Sequence, residues 1–484
     1  MMQDWLSTQA HNTPRRTALT VQGETYTYAA LNQQVALYAA RLAHVGVRAE
    51  DRIAILLPNI AEAVILIHAV MRLQAVLVPI NSRLTPHEIN WQLEHSQAKL
   101  IIHSQANLSE TPCQALSLED LKHTPSPNLE AYLSGQIDLS ALCAIIHTSG
   151  TSGKPKSVLL SYGNFFYSAM ASAYRLGTLP DDNWLCVMPL YHVGGLSIIM
   201  RAALYGITIS LYPRFDTETI NTALTQNNIS LISLVPTMLY RLLQAKTAPW
   251  SGHLRLVLLG GAAASTELIS QCQAENIPIA LTYGLSEATS QVATMLPEDV
   301  YRKPGSVGKP LSFTQVRIMD DQGQPCTPGQ YGEIVVSGPT VMLGYDQIAP
   351  APQPLHTGDI GYLDDEGDLW IVQRRSDLII TGGENVYPLE VESVLKEHPA
   401  VLDACVVGLP STEWGQQVAA AVILKPDHRV DMDTLSQFTR QHLAGYKQPR
   451  YLQVVEDFPR TSSGKIQRHE IIHLMEQTLA QHPR

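Results

Sequence analysis

A chain of 484 residues is too long for one ordinary core, so two or more domains are expected, each with its own buried interior. A composition of 45% hydrophobic and 16% charged residues fits a folded protein and argues against disorder or a membrane-embedded chain. The formal charge of -11 offers no basic field to gather nucleic-acid phosphates; nucleic acid is not an expected partner, while a local cationic site stays open.

The opening residues, Met1-Met2-Gln3-Asp4, carry no basic segment followed by an apolar stretch. The best apolar run, residues 63–71, is broken by His68 and ended by Arg72, well short of the roughly 20 residues a membrane span needs. A cytoplasmic location without a membrane span is therefore expected. The spacing of apolar residues predicts a helix over 28–44, a buried strand over 52–57 and a second helix over 61–73, an α/β layering. The pattern recurs with strands at 184–188, 207–212, 229–235, 254–259 and 279–283. Several strand ends run directly into Gly, Pro or Ser, where α/β sheets place ligand loops.

After Pro304 the texture changes to short strands and turns, with strands expected at 315–319 and 332–337 in a β-rich subdomain. Residues 349–354, Ala-Pro-Ala-Pro-Gln-Pro, cannot be a helix interior and read as a surface loop. Past Arg375, helices at 388–396 and 433–442 and strands at 404–407 and 419–424 suffice for a small α+β domain. Six cysteines are scattered singly, so buried thiols in a reducing compartment are expected rather than zinc ligands or a disulfide framework.

The most informative segment is Thr148-Ser149-Gly150-Thr151-Ser152-Gly153-Lys154-Pro155-Lys156-Ser157, directly after an apolar run at 142–146. Two glycines, several hydroxyls and two lysines make a loop whose N–H and O–H groups can wrap phosphate oxygens while ammonium groups offset their charge. It is not a P-loop, which needs Gly where Thr148 stands and Ser or Thr where Pro155 stands.

With this loop the chain resembles the adenylate-forming superfamily of acyl-CoA ligases, luciferases and peptide-synthetase adenylation domains. Further matches follow in family order: Pro189-Leu190-Tyr191-His192-Val193-Gly194-Gly195, Gly260-Gly261-Ala262, Tyr283-Gly284-Leu285-Ser286-Glu287, Thr357-Gly358-Asp359, Arg374, and Pro459-Arg460-Thr461-Ser462-Ser463-Gly464-Lys465. The resemblance implies an α/β fold with a large N-terminal domain, 1–374, built from two α/β sheets plus the β-rich subdomain. A small mobile α+β domain, 375–484, follows a hinge at Ser376. It also implies ATP, Mg²⁺ and coenzyme A, used on a small-molecule carboxylic acid.

Each match has a physical role. Glu287 is a hard oxygen ligand for Mg²⁺ on phosphates. Tyr283 offers a flat face to adenine, with Gly260, Gly261 and Ala262 letting backbone approach the base's other side; Gly284 and Ser286 belong to the same nucleotide site. Asp359 can accept from both ribose hydroxyls, and Arg374 can donate to the sugar or a phosphate. Lys465 is implied to stabilise charge at the α-phosphate during adenylation. Gly382 and Gly383, in Gly-Gly-Glu-Asn, resemble the edge past which the pantetheine arm of CoA enters.

Arg374-Arg375-Ser376-Asp377-Leu378-Ile379-Ile380, Leu204-Tyr205-Gly206-Ile207-Thr208 and Lys303-Pro304-Gly305-Ser306-Val307-Gly308-Lys309-Pro310 are similar to the o-succinylbenzoate CoA ligases of menaquinone and phylloquinone biosynthesis. Such a substrate has two carboxylates, one activated and the other held by a cation. Arg201 matches that cation's place, and an arginine that snorkels or pairs structurally is the alternative. His192 and Leu285 are assigned to the acid's pocket, His192 alternatively being a core histidine. Two departures stand out: Gln373 replaces the usual Gly before the ribose-binding arginine, and no tryptophan lies just upstream of Thr357-Gly358-Asp359. Other expectations left open are a ligase for another aryl or medium-chain acid, an enzyme loading a carrier protein, and a catalytically dead nucleotide-binding regulator. A homodimer is expected.

Overall fold

The computed structural model describes all residues except 105–107, 109, 149–155, 348–353, 374–377, 427, 460–465 and 482–484. The loop around Ser149–Lys154, the proline-rich stretch, Arg374, Ser376 and Lys465 therefore lie outside the described residues. The chain forms two compact units. The first comprises Met1–Ser82, Gln92–Ile146 and Ser157–Arg374, and the second Arg83–Trp91, His147–Lys156 and Arg375–Arg484.

In the first unit the helix Tyr28–His44 forms where the periodicity places it, its first turn capped by Thr27, whose side chain accepts from Ala30 N–H. The helix Ala61–Arg72 is apolar on every side and is buried almost throughout. Around them runs a seven-stranded sheet in the order Gly344–Tyr345, Lys156–Ser161, Leu142–Thr148, Val76–Pro79, Arg52–Leu56, Leu100–His103, Gln114–Ser117. Continuous apolar strands such as Arg52–Leu56 suit a parallel sheet covered on both faces.

A second, thirteen-stranded sheet carries a parallel block, Thr208–Leu211, Asn183–Cys186, Leu231–Leu234, Leu256–Leu259 and Ile279–Leu285. Beyond Ile279–Leu285 it turns antiparallel through Ser290–Met295 and Ser306–Pro310, then Leu369–Gln373, Leu355–Leu363, Gly332–Ser337 and Gln315–Met319. The β-rich region read from the sequence is thus joined by hydrogen bonds to the second α/β sheet. A short turn returns the chain beside Ile279–Leu285 and covers what would have been an open edge.

The second unit is organised by a long hairpin, Val401–Ser411 with Gly415–Leu424; the other edge of Gly415–Leu424 pairs with Ile379–Thr381 at its start, beyond which lies Glu384–Val386, and with Tyr451–Val454 further along. Both hairpin strands outrun the cores expected at 404–407 and 419–424, because polar residues toward their ends hide the strand signal. Alternation along Val401–Ser411 feeds two cores. Ala404 and Val406 pack with Val391, Leu395 and Leu435, while Cys405, Val407 and Leu409 pack with Phe458, Ile471 and Met475.

All six cysteines are free; four are buried as expected, whereas Cys113 and Cys326 are only partly covered. Among the described residues no helix is long and apolar enough to cross a membrane.

Candidate active site

The strand Ile279–Leu285 carries the centre of the site in the first unit. Its register with Ser290–Met295 shifts between Tyr283 and Gly284. A Cβ at Gly284 would stand 1.8 Å from the carbonyl oxygen of Ser290, so only glycine fits where the bulge brings the two backbones together. The ladder continues through Gly284 and Leu285, and the chain then enters a single 3-10 turn, Ser286–Ala288, with Leu285 and Ser286 half-buried at its start.

Glu287 in that turn is buried, yet it is the kind of hard anion that water normally solvates. Its carboxylate accepts from the Tyr345 hydroxyl at 2.9 Å, and its carbonyl oxygen accepts from Met342 N–H at 2.8 Å. Next to it Thr289 takes a left-handed conformation and donates through its hydroxyl to the carbonyl of Thr340 at 2.7 Å. The phenol thus holds the carboxylate, while the bonds at Glu287 O and Thr289 Oγ1 fix the backbone that carries it. Among the described residues no group of three or more His, Cys, Asp or Glu side chains could hold a metal. A single fixed carboxylate fits an Mg²⁺ that keeps waters and arrives on substrate phosphates, and does not fit a resident all-protein metal cage.

Tyr283 is fully buried, and its hydroxyl donates to Oδ2 of Asp359 at 2.6 Å. Asp359 lies on Leu355–Leu363, where alternation puts Thr357 and Asp359 inward. The Thr357 hydroxyl donates to the carbonyl of Ile334 at 2.6 Å and accepts from Asp359 N–H at 3.1 Å, fixing the aspartate's backbone. Gly260, Gly261 and Ala262 follow the strand Leu256–Leu259, which runs parallel to and beside Ile279–Leu285. Tyr283, Gly260 and Glu287 are thus brought together by two neighbouring strands, and Asp359 joins them through the tyrosine. The sequence pointed to the ring face of Tyr283; the structure adds the polar link through its hydroxyl.

On the acid side, His192 is half-buried at the N-cap of the helix Val193–Tyr205, its ring edge-on to Tyr191 at 4.6 Å between centroids. The preceding turn is pinned by Asn59, whose side-chain amide donates to Met188 O at 3.0 Å while its oxygen accepts from Leu190 N–H at 3.2 Å. Nothing in the sequence singled out Asn59, since an Asn after Pro58 reads as a turn residue.

Arg201, on the same helix, is 2% exposed. Its guanidinium sits over the Trp184 ring at 5.8 Å, and burial pulls its pKa down from the usual arginine value. Its Nε and Nη2 have no hydrogen-bond partner among the described residues, and neither does the Oγ of Ser197, one turn earlier on the same helix. A buried guanidinium without a counter-charge costs several kcal/mol and attracts an anion.

In the second unit Gly382 and Gly383 turn between Ile379–Thr381 and Glu384–Val386 with φ of +58 and +87. Gly382 packs against Trp414, with a Cβ there 2.8 Å from the indole, so the turn exposes backbone with no room for a side chain. Thr148, at the end of Leu142–Thr148, bonds through its hydroxyl to the carbonyl of Lys156 at 3.4 Å.

An α/β unit whose strand ends gather a buried glutamate, a tyrosine-linked aspartate and a glycine pair defines a nucleotide-activating fold, and the chain belongs to the AMP-binding enzyme family. The family model for AMP-binding enzyme matches residues 6–346, and that for the AMP-binding enzyme C-terminal domain matches residues 390–465. Relatives similar over nearly the full chain include 2-succinylbenzoate–CoA ligases. A 2-succinylbenzoate–CoA ligase of Bacillus mycoides is 40% identical, covering 98% of this chain and 99% of its own, and that of Bacillus licheniformis is 39% identical over 97% and 99%. Among solved structures, a double mutant of the Bacillus subtilis o-succinylbenzoate CoA synthetase bound to the product analogue OSB-NCoA superposes with a TM-score of 0.92 at 37% identity, covering 97% of this chain and 98% of that one. The same synthetase with ATP and magnesium superposes at 0.75, with 37% identity over 97% and 99%.

Proposed function

We propose that the chain adenylates o-succinylbenzoate with ATP and transfers the acyl group to coenzyme A, releasing AMP and pyrophosphate, as an acid–thiol ligase of menaquinone biosynthesis in the cytoplasm. The observation that carries the substrate is Arg201. A monocarboxylic acid would leave its two unpartnered donors unused, whereas a di-acid supplies the missing anion while its other carboxylate reacts.

A carboxylate is a poor electrophile. Its oxygen attacks the α-phosphorus of ATP and pyrophosphate leaves; the CoA thiol then attacks the acyl carbon, and AMP leaves. Catalysis in the first step is mainly positioning and charge neutralisation. Asp359, held by Thr357 and Tyr283, accepts from the ribose hydroxyls. Glu287 holds the phosphate-borne Mg²⁺, which when bound offsets phosphate charge. His192 and Leu285 wall the acid, Arg201 holds its distal carboxylate, and the loop 148–154 with Arg374 and Lys465 contacts phosphate and ribose. Gly382 and Gly383 admit the pantetheine arm, and Ser376 is the hinge between 1–374 and 375–484.

Pyrophosphate release over a panel of acids, with CoA added or withheld, tests this reading. Turnover of o-succinylbenzoate well above that of benzoate and octanoate, with AMP release dependent on CoA, is expected. Equal turnover of all three acids would overturn the substrate assignment.

A further inference from the structure

The second unit holds a buried charge cluster that none of the groups above uses. Lys447 is 5% exposed, and its ammonium lies 2.8 Å from Oε1 of Glu88 and 2.7 Å from Oε1 of Glu390. The two carboxylates hold the ammonium charged despite its burial, raising its pKa above the ordinary lysine value. Each carboxylate belongs to the start of a helix. Glu390 lies in the first turn of Pro388–Glu397, and the second oxygen of Glu88 accepts from the backbone and hydroxyl of Thr85, at 2.9 Å each, to cap Pro86–His95.

The cluster continues outward. Arg83 donates to Glu384 at 2.9 Å and lies over the Tyr446 ring at 5.4 Å, and His87 meets His442 edge-on at 6.0 Å. Glu384 directly follows Gly382 and Gly383, and Glu390 follows the strand Glu384–Val386. The glycine hairpin is therefore tied at its tip through Glu384 and at its base through Glu390, both times to the segment Arg83–Trp91. A three-residue strand pair has little hydrogen bonding of its own to fix its position. A lysine between two buried carboxylates is also not replaceable by chance packing, because its loss leaves two like charges facing each other.

We propose that Lys447 is a positioning residue for the thioester-forming half-reaction, holding the hairpin of Gly382 and Gly383 in register through Glu390 and Glu88. The role rests on the reading that this hairpin admits CoA. Adenylation draws on Tyr283, Glu287 and Asp359, which belong to the other compact unit, so the two half-reactions should separate.

The test measures each half-reaction alone in the full-length enzyme: pyrophosphate release from ATP and acid, and thiolysis by CoA of acyl-adenylate supplied preformed. For Lys447→Met, the kcat of thiolysis should fall by about tenfold or more, with the KM for CoA and the pyrophosphate rate each within about twofold, and Lys447→Arg should recover part of the loss. Arg83→Met, at a side chain 53% exposed and so outside any core, should lower thiolysis without lowering pyrophosphate release and guards against misfolding of the lysine variant. If both variants thiolyse at the wild-type rate, if both half-reactions fall together in both, or if Lys447→Met raises only the KM for CoA, the positioning role is overturned. If the wild-type enzyme itself does not consume the adenylate with CoA, the reading beneath the proposal falls with it.

Discussion

The hydroxyl of Tyr283 reaches Oδ2 of Asp359 at 2.6 Å although three strands separate their own strands in the sheet order. Four strand spacings of about 4.8 Å would put the two backbones about 19 Å apart in a flat sheet, beyond the reach of a tyrosine. The sheet therefore curls between Ile279–Leu285 and Leu355–Leu363, and the hydrogen bond fastens the curl at the aspartate proposed to hold the ribose. Tyr283→Phe removes one donor from a buried carboxylate. A stability loss of about 1–3 kcal/mol in urea, together with a several-fold rise in the KM for ATP at nearly unchanged kcat, is expected. Unchanged stability and KM would show that the link is incidental.

Arg201→Met separates substrate recognition from architecture. A buried guanidinium whose Nε and Nη2 have no hydrogen-bond partner among the described residues is a liability to the fold, so the variant should be as stable as the parent or more so, against the usual trend for buried substitutions. Turnover of o-succinylbenzoate should fall by about 10²-fold in kcat/KM while any basal turnover of benzoate is retained. Thermal melts and steady-state rates on both acids decide it; a large drop in melting temperature would assign the guanidinium a structural role.

Glu287→Gln keeps the Tyr345 hydrogen bond in shape but removes the charge proposed to hold a phosphate-borne cation. Pyrophosphate release should drop by about 10²-fold or more and the magnesium requirement should move to higher concentration, with thiolysis of supplied adenylate little changed. Lys465→Ala should show the same division, losing adenylation and sparing thiolysis. Equal loss of both half-reactions in either variant would contradict their assignment to the first step.

His68 gives the fold a pH dependence. It is fully buried beside the ion pair of Arg72 with Asp4, and burial lowers its pKa to about 4. Below the ordinary histidine value near 6.5 the unfolded chain binds a proton that the folded chain refuses. The stability this group contributes is therefore full above about pH 6.5, is lost as pH falls toward 4, and totals roughly 3 kcal/mol. Urea melts from pH 7.5 to 4.5 should show that slope, and His68→Met should flatten it; an unchanged slope would place the titration elsewhere.

Local patterns in the chain were readable because they depend on neighbours in sequence. The helix Tyr28–His44 follows from spacing and the strand Arg52–Leu56 from an apolar run, while the strand expected at 279–283 runs two residues further, to Leu285. The ends of Val401–Ser411 were not, because its polar residues are satisfied by a partner strand that the local pattern does not reveal. Trp184 under Arg201, Tyr345 on Glu287 and Asn59 on the turn before His192 were equally invisible, each meeting a group outside its own local segment.

What the sequence by itself determined was the kind of chemistry: which residue types stand together in each motif, and hence a nucleotide-activating α/β enzyme of two domains. The tertiary structure alone decided that Tyr283 meets Asp359, that Nε and Nη2 of buried Arg201 have no hydrogen-bond partner among the described residues, and that Lys447 lies between Glu88 and Glu390. The physical reason is that hydrogen bonds and ion pairs act over about 3 Å in space. Separations of 76 positions between Tyr283 and Asp359, and of 359 between Glu88 and Lys447, carry no local mark of where the chain will return.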